Sequence, residues 1–598
     1  NCGDLRLFNF TQLGTTAQSL TLTGTARLIL GPNSIFEANV NFLAPRISLD
    51  GTQFNGNTYL EKTGASDDNG VGGDVFNGET TIVNSSTGSF NLANTAPVIF
   101  NNNVILENTG EARIQIGLSS AGNEINGTLT INHAGTASGA INTIISRNAG
   151  ASTTINGNVF LNSLNGNTAS GIIIGNNGDV LINGNVIVSS TNGRGVLFGN
   201  ANGFVSLADG YTISTAGPGT FTTGVLSLID FTQIGNTAQN ISLEGTASLV
   251  LGPLSSFDGN VNFVAPRLFL NGTIFNAESY LEKNGAGNDD GAGGNIFNNA
   301  STIVNSGSGY LRSANSDPDV FNGAVTFTSS GSNAIQACRN ATCTFNGNII
   351  VNSTSGSGIL FGDGANGGAT LADGFSMSIG SGGFSTGTLR LQRFTQVGNT
   401  AQTLQLTGNA LLQLGTNSEF NAPVNFQAPG VLLNGTNFNA ETYIEKTGSG
   451  NNDGTGGNIF NAETTIVNSG DSYLRTGINN PDIFNDDLIV INTGASTVRL
   501  ADNTAGNEFN GNIELNSTFG GGIFFGNNTS GFATLADGKT ISVGSLGVIS
   551  GDVLLRRFTQ IGPTPQSLTL TGIAALTLGP NTSFGGDINF AAPQINLN

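Results

Sequence analysis

The chain has 598 residues, a net charge of −20, only 10% charged residues, 88 glycines, 38 Phe, no Trp, one Met and one His. An acidic surface of this kind repels nucleic acid and anionic membrane, so neither is expected as a partner, and no uninterrupted apolar run reaches the roughly 18 residues of a membrane span. Recurring short Val/Ile/Leu/Phe runs argue against disorder, and glycine without a three-residue period excludes collagen.

In chain order, no signal peptide is visible at the start. The opening GDLRLFNFTQ from Gly3 matches GTLRLQRFTQ from Gly387, which leads us to expect a window from a longer repetitive protein with its export signals elsewhere. The phrase FTQLGTTAQ from Phe10 returns as FTQIGNTAQ from Phe231, FTQVGNTAQ from Phe394 and FTQIGPTPQ from Phe558. The last two intervals are nearly equal and the first is longer. Each phrase is followed by a matching passage, such as LGPNSIFEANVNFLAPRISLDGTQFNG in the first copy and LGPLSSFDGNVNFVAPRLFLNGTIFNA in the second. Four super-repeats are therefore expected: 1–230, carrying two extra coils, then 231–393, 394–557 and a truncated 558–598.

A smaller repeat lies inside the large one, roughly x-[FI]-N-[GA]-x-[VI]-x-[VLI]-N-[ST]. Its first apolar residue falls at Phe54, Phe76, Phe100, Ile125, Ile155 and Ile182, then at Phe275, Phe297, Phe321 and Phe345, then at Phe438, Phe460, Phe484 and Phe509. Short β-rich runs alternate with Gly/Asn/Ser/Thr turns, without helical period. Such a period predicts an all-β fold, a parallel β-helix (β-solenoid) with coils of about 18–30 residues, forming an elongated rod. The excess of the first large interval over the third equals the combined length of the steps Ile125–Ile155 and Ile155–Ile182. The insertion thus reads as two whole coils, which a solenoid tolerates because each coil touches only its neighbours. The repeated Phe side chains are expected to stack inward at the strand spacing of about 4.8 Å. About 25 coils at that spacing would extend about 120 Å. The Asn after each Phe is expected to turn inward or to cap a corner, an inward ladder satisfying buried carbonyls, Gly to supply positive φ at corners, and Pro45, Pro266, Pro429 and Pro593 to occupy corners.

Several recurrent polar groups are candidates for chemistry. An acidic glycine loop reads DDNGVGGD, NDDGAGGN and NNDGTGGN. Clustered oxygens around a tight glycine turn suit a hard cation. This gives a calcium reading on Asp67, Asp68, Asn69 and Asp74, on Asn288, Asp289, Asp290 and Asn295, and on Asn451, Asn452, Asp453 and Asn458. The alternative is a polar corner, because the same residues form turns, and the third copy holds a single carboxylate. The pairs Glu61–Lys62, Glu282–Lys283 and Glu445–Lys446 read as a solvated edge, with pairing between coils or chains as the alternative. In LADG, Asp209, Asp373 and Asp537 are expected to cap backbone amides. Cys338 and Cys343, in ACRNATC, are expected to form a local disulfide in an oxidising compartment. His133 occupies an ordinary turn position in the repeat and is expected to be exposed rather than a general base. No unique constellation of catalytic groups is visible, so no enzyme activity and no cofactor other than calcium are expected.

The phrases FTQVGNTAQTLQLTG, YIEKTGSGNNDGTGGNIFNAETTIVNSG and FNGNIELNST resemble the β-strand-repeat giant surface proteins of Bacteroidota, over essentially the whole chain. The resemblance implies export by the type IX secretion system and an extracellular, cell-surface location, with service as adhesins or as filaments, some of them hook-like. Together with the repeats, this leads us to expect the rigid shaft of an adhesive fibre used for attachment, gliding or prey capture, with a cell-surface or glycan target at a tip outside this window, and a surface repeated at regular intervals suits a homo-oligomer of parallel shafts. The alternatives are repeats that bind glycans or cells directly and, in a different class, a polysaccharide-degrading β-helix enzyme. The latter would need paired carboxylates from neighbouring coils about 5–9 Å apart.

Overall fold

The computed structural model describes residues 3–135, 142–164, 170–200 and 202–598. Among them all regular structure is short β-strand and there is no helix. The chain divides into two compact units, 1–299 and 300–598, a division that falls inside the second super-repeat. Each unit is a parallel β-solenoid, and among the described residues the turns number about 24.

Every turn visits three faces in a constant order. In the first unit one turn runs through Thr52–Phe54, Thr58–Lys62 and Asp68–Asn69, and the next through Val75–Phe76, Thr80–Asn84 and Phe90–Leu92. We call these the aromatic, long and third faces. Each strand pairs in parallel with its equivalent one turn away. Phe76 lies opposite Phe54 and Phe100, Asn84 opposite Lys62 and Asn108, and Phe90 opposite Asp68 and Ile114. The second unit repeats the pattern, for instance with Phe321 opposite Phe345, Val325 opposite Ile349 and Ile335 opposite Ile359.

Alternation along each strand builds the core. Successive strand side chains point to opposite faces, so Val40, Phe42 and Ala44 turn inward while Asn41 and Leu43 face out. All eleven repeat phenylalanines, from Phe54 to Phe509, are at most 1% exposed. Phe54, Phe76 and Phe100 stack at centroid separations of 4.8 Å with planes tilted by 6° and 12°. That separation is the hydrogen-bonded strand spacing of about 4.8 Å, so backbone pairing and ring stacking are satisfied by the same rise.

Differences in turn length are absorbed at corners. The turn from Phe36 to Phe54 is short and the turn from Ile125 to Ile155 is long, yet both pairs remain in register. Ile155 is in turn opposite Ile182, so the two additional coils of the first super-repeat enter without shifting the aromatic face. Pro45, Pro266 and Pro429 each form the corner between the long and third faces, where their carbonyls accept the amides of Gly64, Gly285 and Gly448 at 3.0–3.1 Å.

The glycine of the FNG phrase is needed for a reason other than positive φ. A Cβ on Gly78 would lie 2.4 Å from the Gly56 backbone, and one on Gly127 would lie 2.4 Å from that of Asn102, so the corners of successive turns lie too close for a side chain. Positive φ is concentrated elsewhere. Asn33, Asn417 and Asn581 take φ of 59–61° at one recurring corner, and in the second super-repeat Leu254 takes φ 58° at that place. Asn tolerates this conformation and Leu does not. With Leu254 68% exposed, Leu254→Asn is expected to raise stability by about 0.5–1 kcal/mol, read as an increased urea midpoint.

Candidate functional sites

The acidic loops do not converge. Adjacent strand residues face opposite ways, so Asp68 and Asp74 turn into the solenoid while Asp67 and Asn69 face solvent. Asp68 bonds the Arg46 Nε at 3.1 Å and the Ile47 amide at 2.9 Å. Asp74 accepts the Thr52 amide at 2.8 Å. Asp67 accepts the Ser89 amide at 2.7 Å, and Asn69 accepts the Asn91 side-chain amide at 2.6 Å. In the second copy, Asp289 bonds Arg267 at 2.9 Å and the Leu268 amide at 2.8 Å, and Asn295 accepts the Gly272 and Thr273 amides at 3.1 Å. Asn288 offers its backbone carbonyl to Arg267, and Asp290 is exposed. In the third, Asn458 accepts the Gly435 and Thr436 amides at 3.0 and 3.1 Å, Asp453 pairs with Arg475, Asn451 is exposed, and Asn452 is buried on the third face. Among the described residues no group of three or more His, Cys, Asp or Glu side chains is gathered. These side chains stand in for strand partners at corners where the ladder is interrupted.

Burial pushes the Asp74 carboxyl up to about 7, against an unfolded value of 3.8, with the Asp50 charge adding to the shift and the Thr52 amide opposing it. A carboxyl raised on folding binds its proton more tightly in the native state, so its ionised form opposes folding in full above about 7, and that penalty is relieved as pH falls toward 3.8. The other two copies carry Asn295 and Asn458 here on the same Thr amides. The stability of wild type relative to Asp74→Asn is therefore expected to improve by about 1–3 kcal/mol between pH 8 and pH 5, measured by urea denaturation at both values.

The recurrent lysines are not a solvated edge. Lys62, Lys283 and Lys446 are 0% exposed, because each is the third inward residue of its long-face strand, after Thr58 and Leu60 in the first case. Lys62 Nζ donates to the Gly64 carbonyl and to Ser86 Oγ, the latter at 2.9 Å. Lys283 donates to the Gly285 carbonyl at 2.6 Å, and Lys446 to the carbonyls of Gly448 and of Ser472, the latter at 3.0 Å. Burial pushes all three amines down, Lys446 to about 8. The neighbouring glutamates face outward, where Tyr59, Tyr280 and Tyr443 donate to Glu61, Glu282 and Glu445 at 2.8, 2.6 and 2.9 Å. Burial, reinforced by these carboxylates, pushes each phenol up to about 12.

His133 is likewise inward and 0% exposed, at the register position of Asn108 and Ser163. Its Nδ1 lies 3.1 Å from Thr143 Oγ1, and burial pushes it down to about 4, which keeps the imidazole neutral. The expectation of an exposed turn residue fails because INHAG ends a strand whose alternation carries the ring inside. Cys338 and Cys343 form a disulfide with Cα atoms 5.4 Å apart, both residues buried at one corner. Asp209 and Asp373 accept the amides of Gly210 and Gly374 at 2.9 Å, so they cap their own turns.

The FTQ phrase builds a brace that sequence reasoning missed. Gln233 is buried at the end of its aromatic-face strand. Its Oε1 accepts the Gly259 amide at 2.8 Å, and its Nε2 donates to the Ile234 and Gly235 carbonyls at 2.8 Å. Gln239, at the other end of the phrase, accepts the Ile213 amide at 2.8 Å and donates to the Thr237 carbonyl at 2.8 Å. Gln396 with Gln402 and Gln560 with Gln566 repeat the arrangement. The two glutamines saturate a corner too long for strand pairing. Between them an aliphatic residue is left outside in every copy: Leu13, Ile234, Val397 and Ile561 are 41–81% exposed.

The Asn ladder is on the outside rather than around buried carbonyls. Asn77 donates to Asn55, Asn101 to Asn77, Asn126 to Asn101, Asn156 to Asn126 and Asn183 to Asn156, each at 2.7–3.0 Å. In the second unit Asn439, Asn461, Asn485 and Asn510 continue a similar chain from Asn421 at 2.6–3.1 Å.

No family model, curated protein or solved structure matches the chain. The fold defines its class, a parallel β-solenoid repeat protein.

Proposed function

We propose that this chain forms the shaft of an extracellular adhesive fibre, attached to the cell surface and exported as its resemblance to Bacteroidota β-strand-repeat proteins implies. The observation that carries the reading is the constancy of register within each unit: short turns such as Phe36 to Phe54 and long ones such as Ile125 to Ile155 keep the aromatic face in line. Such a build adds length by whole turns while the strand faces stay aligned, which is what a spacer between a cell and a distant target requires. The aliphatic side chain exposed at the same place in every FTQ phrase supports side-by-side packing of shafts, because a repeated contact gains avidity along its length. The target lies at a tip beyond the repeats.

Electron microscopy of the full-length protein tests the proposal. Uniform long fibres that bundle in register are the expected result. Compact particles would overturn the shaft reading. Glycan or cell binding by the isolated repeats, without fibres, would move the function to direct adhesion.

A further inference from the structure

One long-face corner in the first unit differs from its repeats. Lys62 and Asn84 are in register on adjacent parallel strands, both point inward, and both are 0% exposed. The Asn84 amide is held on both sides. Its Oδ1 accepts the Ser86 hydroxyl at 2.7 Å and the Ser86 amide at 3.2 Å, and its Nδ2 donates to the carbonyls of Gly88 and Arg113 at 3.1 and 3.2 Å. Two donors on an amide oxygen polarise the carbonyl and would stabilise negative charge developing on it. Ser86 Oγ also receives the Lys62 amine at 2.9 Å, so amine and amide share one hydroxyl.

We propose that Lys62 and Asn84 join into an isopeptide cross-link between two successive turns. Lys62 Nζ, as the free amine, attacks Asn84 Cγ, whose oxygen is steadied by the two Ser86 donors. The new C–N bond forms, the Cγ–Nδ2 bond breaks, and one amine proton passes to Nδ2, which leaves as ammonia. No oxidant or second reactant is required. Burial favours the unprotonated amine that the attack needs, and the fixed register supplies the proximity. The charge of Asp68, buried just beyond the corner, acts the other way and favours the protonated amine, and burial outweighs it, leaving the amine shifted down.

The third super-repeat provides an internal comparison. Lys446 lies opposite Asn468 in the same register and is equally buried. Gly470 stands where the first copy has Ser86, and Asn452 where it has Asp68. Both amide atoms of Asn468 are buried without a hydrogen-bond partner, so its carbonyl is not polarised and no bond is expected there.

The test is intact mass spectrometry of the folded chain under reducing conditions, followed by peptide mapping. The expected result is a chain lighter by one ammonia, with a branched peptide joining the segments around Lys62 and Asn84. Lys62→Met should restore the full mass, Ser86→Ala should slow formation of the branch, and Lys446→Met should leave the deficit unchanged. A wild-type chain at full mass would overturn the proposal without recourse to any variant. Loss of ammonia with both peptides still linear, as a succinimide would give, would overturn it equally.

Discussion

Phe460→Ala is expected to lower stability by about 3–5 kcal/mol, the usual cost of deleting a buried aromatic ring. Phe460 lies between Phe438 at 4.9 Å and Phe484 at 4.6 Å, with planes tilted by only 3° and 5°. A globular core relieves part of such a loss by collapse, but here the strand ladders hold successive turns at about 4.8 Å. The cavity therefore persists, and the stacking contribution of about 0.5–1.5 kcal/mol per ring pair is lost on two sides. Because each turn touches only its neighbours, hydrogen exchange should quicken first in the flanking strands, Thr436–Phe438 and Ile483–Phe484. A shift of the urea midpoint equivalent to less than about 1 kcal/mol, far below the usual cost, would mean that the rings are not the mechanical centre of the fold.

Gln396→Leu is the second large effect, expected at about 2–4 kcal/mol from the cost of leaving buried polar groups unpaired. The side chain accepts the Asn421 and Ala422 amides at 3.0 and 2.9 Å and donates to the Val397 and Gly398 carbonyls at 2.9 and 3.0 Å. Leucine matches its bulk but strands two donors and two acceptors. Gln396→Glu keeps an acceptor for the two amides but sets a buried carboxylate oxygen against the Val397 and Gly398 carbonyls, so it should also be destabilised at neutral pH, and less so at low pH, where a protonated carboxyl can donate. Equal stability of the Leu variant and wild type would show that water replaces the brace.

The fold class was legible because two periods coincide. Alternation along FNGNIIVNS assigns Phe345 and Val351 to the interior, and recurrence of the phrase assigns equivalent residues to the same place on every turn. The same alternation would have placed Lys62 and His133 inside, since each lies two positions beyond a buried aliphatic on its strand, Leu60 and Ile131. Charge argues for the surface at Lys62 and alignment with turn residues argues for it at His133, and both outweigh the periodic signal. The acidic loop was ambiguous for a different reason, because Asp, Asn and Gly serve turns and cation sites alike. The FTQ phrase marks the start of each super-repeat, and nothing in its letters indicates that both glutamines fold back on the backbone.

Sequence alone determined what repeats: the rungs, their inward apolar residues, and the insertion of whole coils. These are local properties, set by the alternation of side chains and by turn formers. Tertiary structure decided what happens at the corners, where turns of unequal length leave backbone amides and carbonyls without ladder partners. Whether Asp68 meets Arg46 or a cation, whether Gln233 faces solvent or the Gly259 amide, and whether Lys62 stands beside the Asn84 amide depend on which residue of the adjacent turn arrives alongside. That is set by the parallel register between segments a full turn apart along the chain, and hydrogen bonding across such a separation has no signature within either segment.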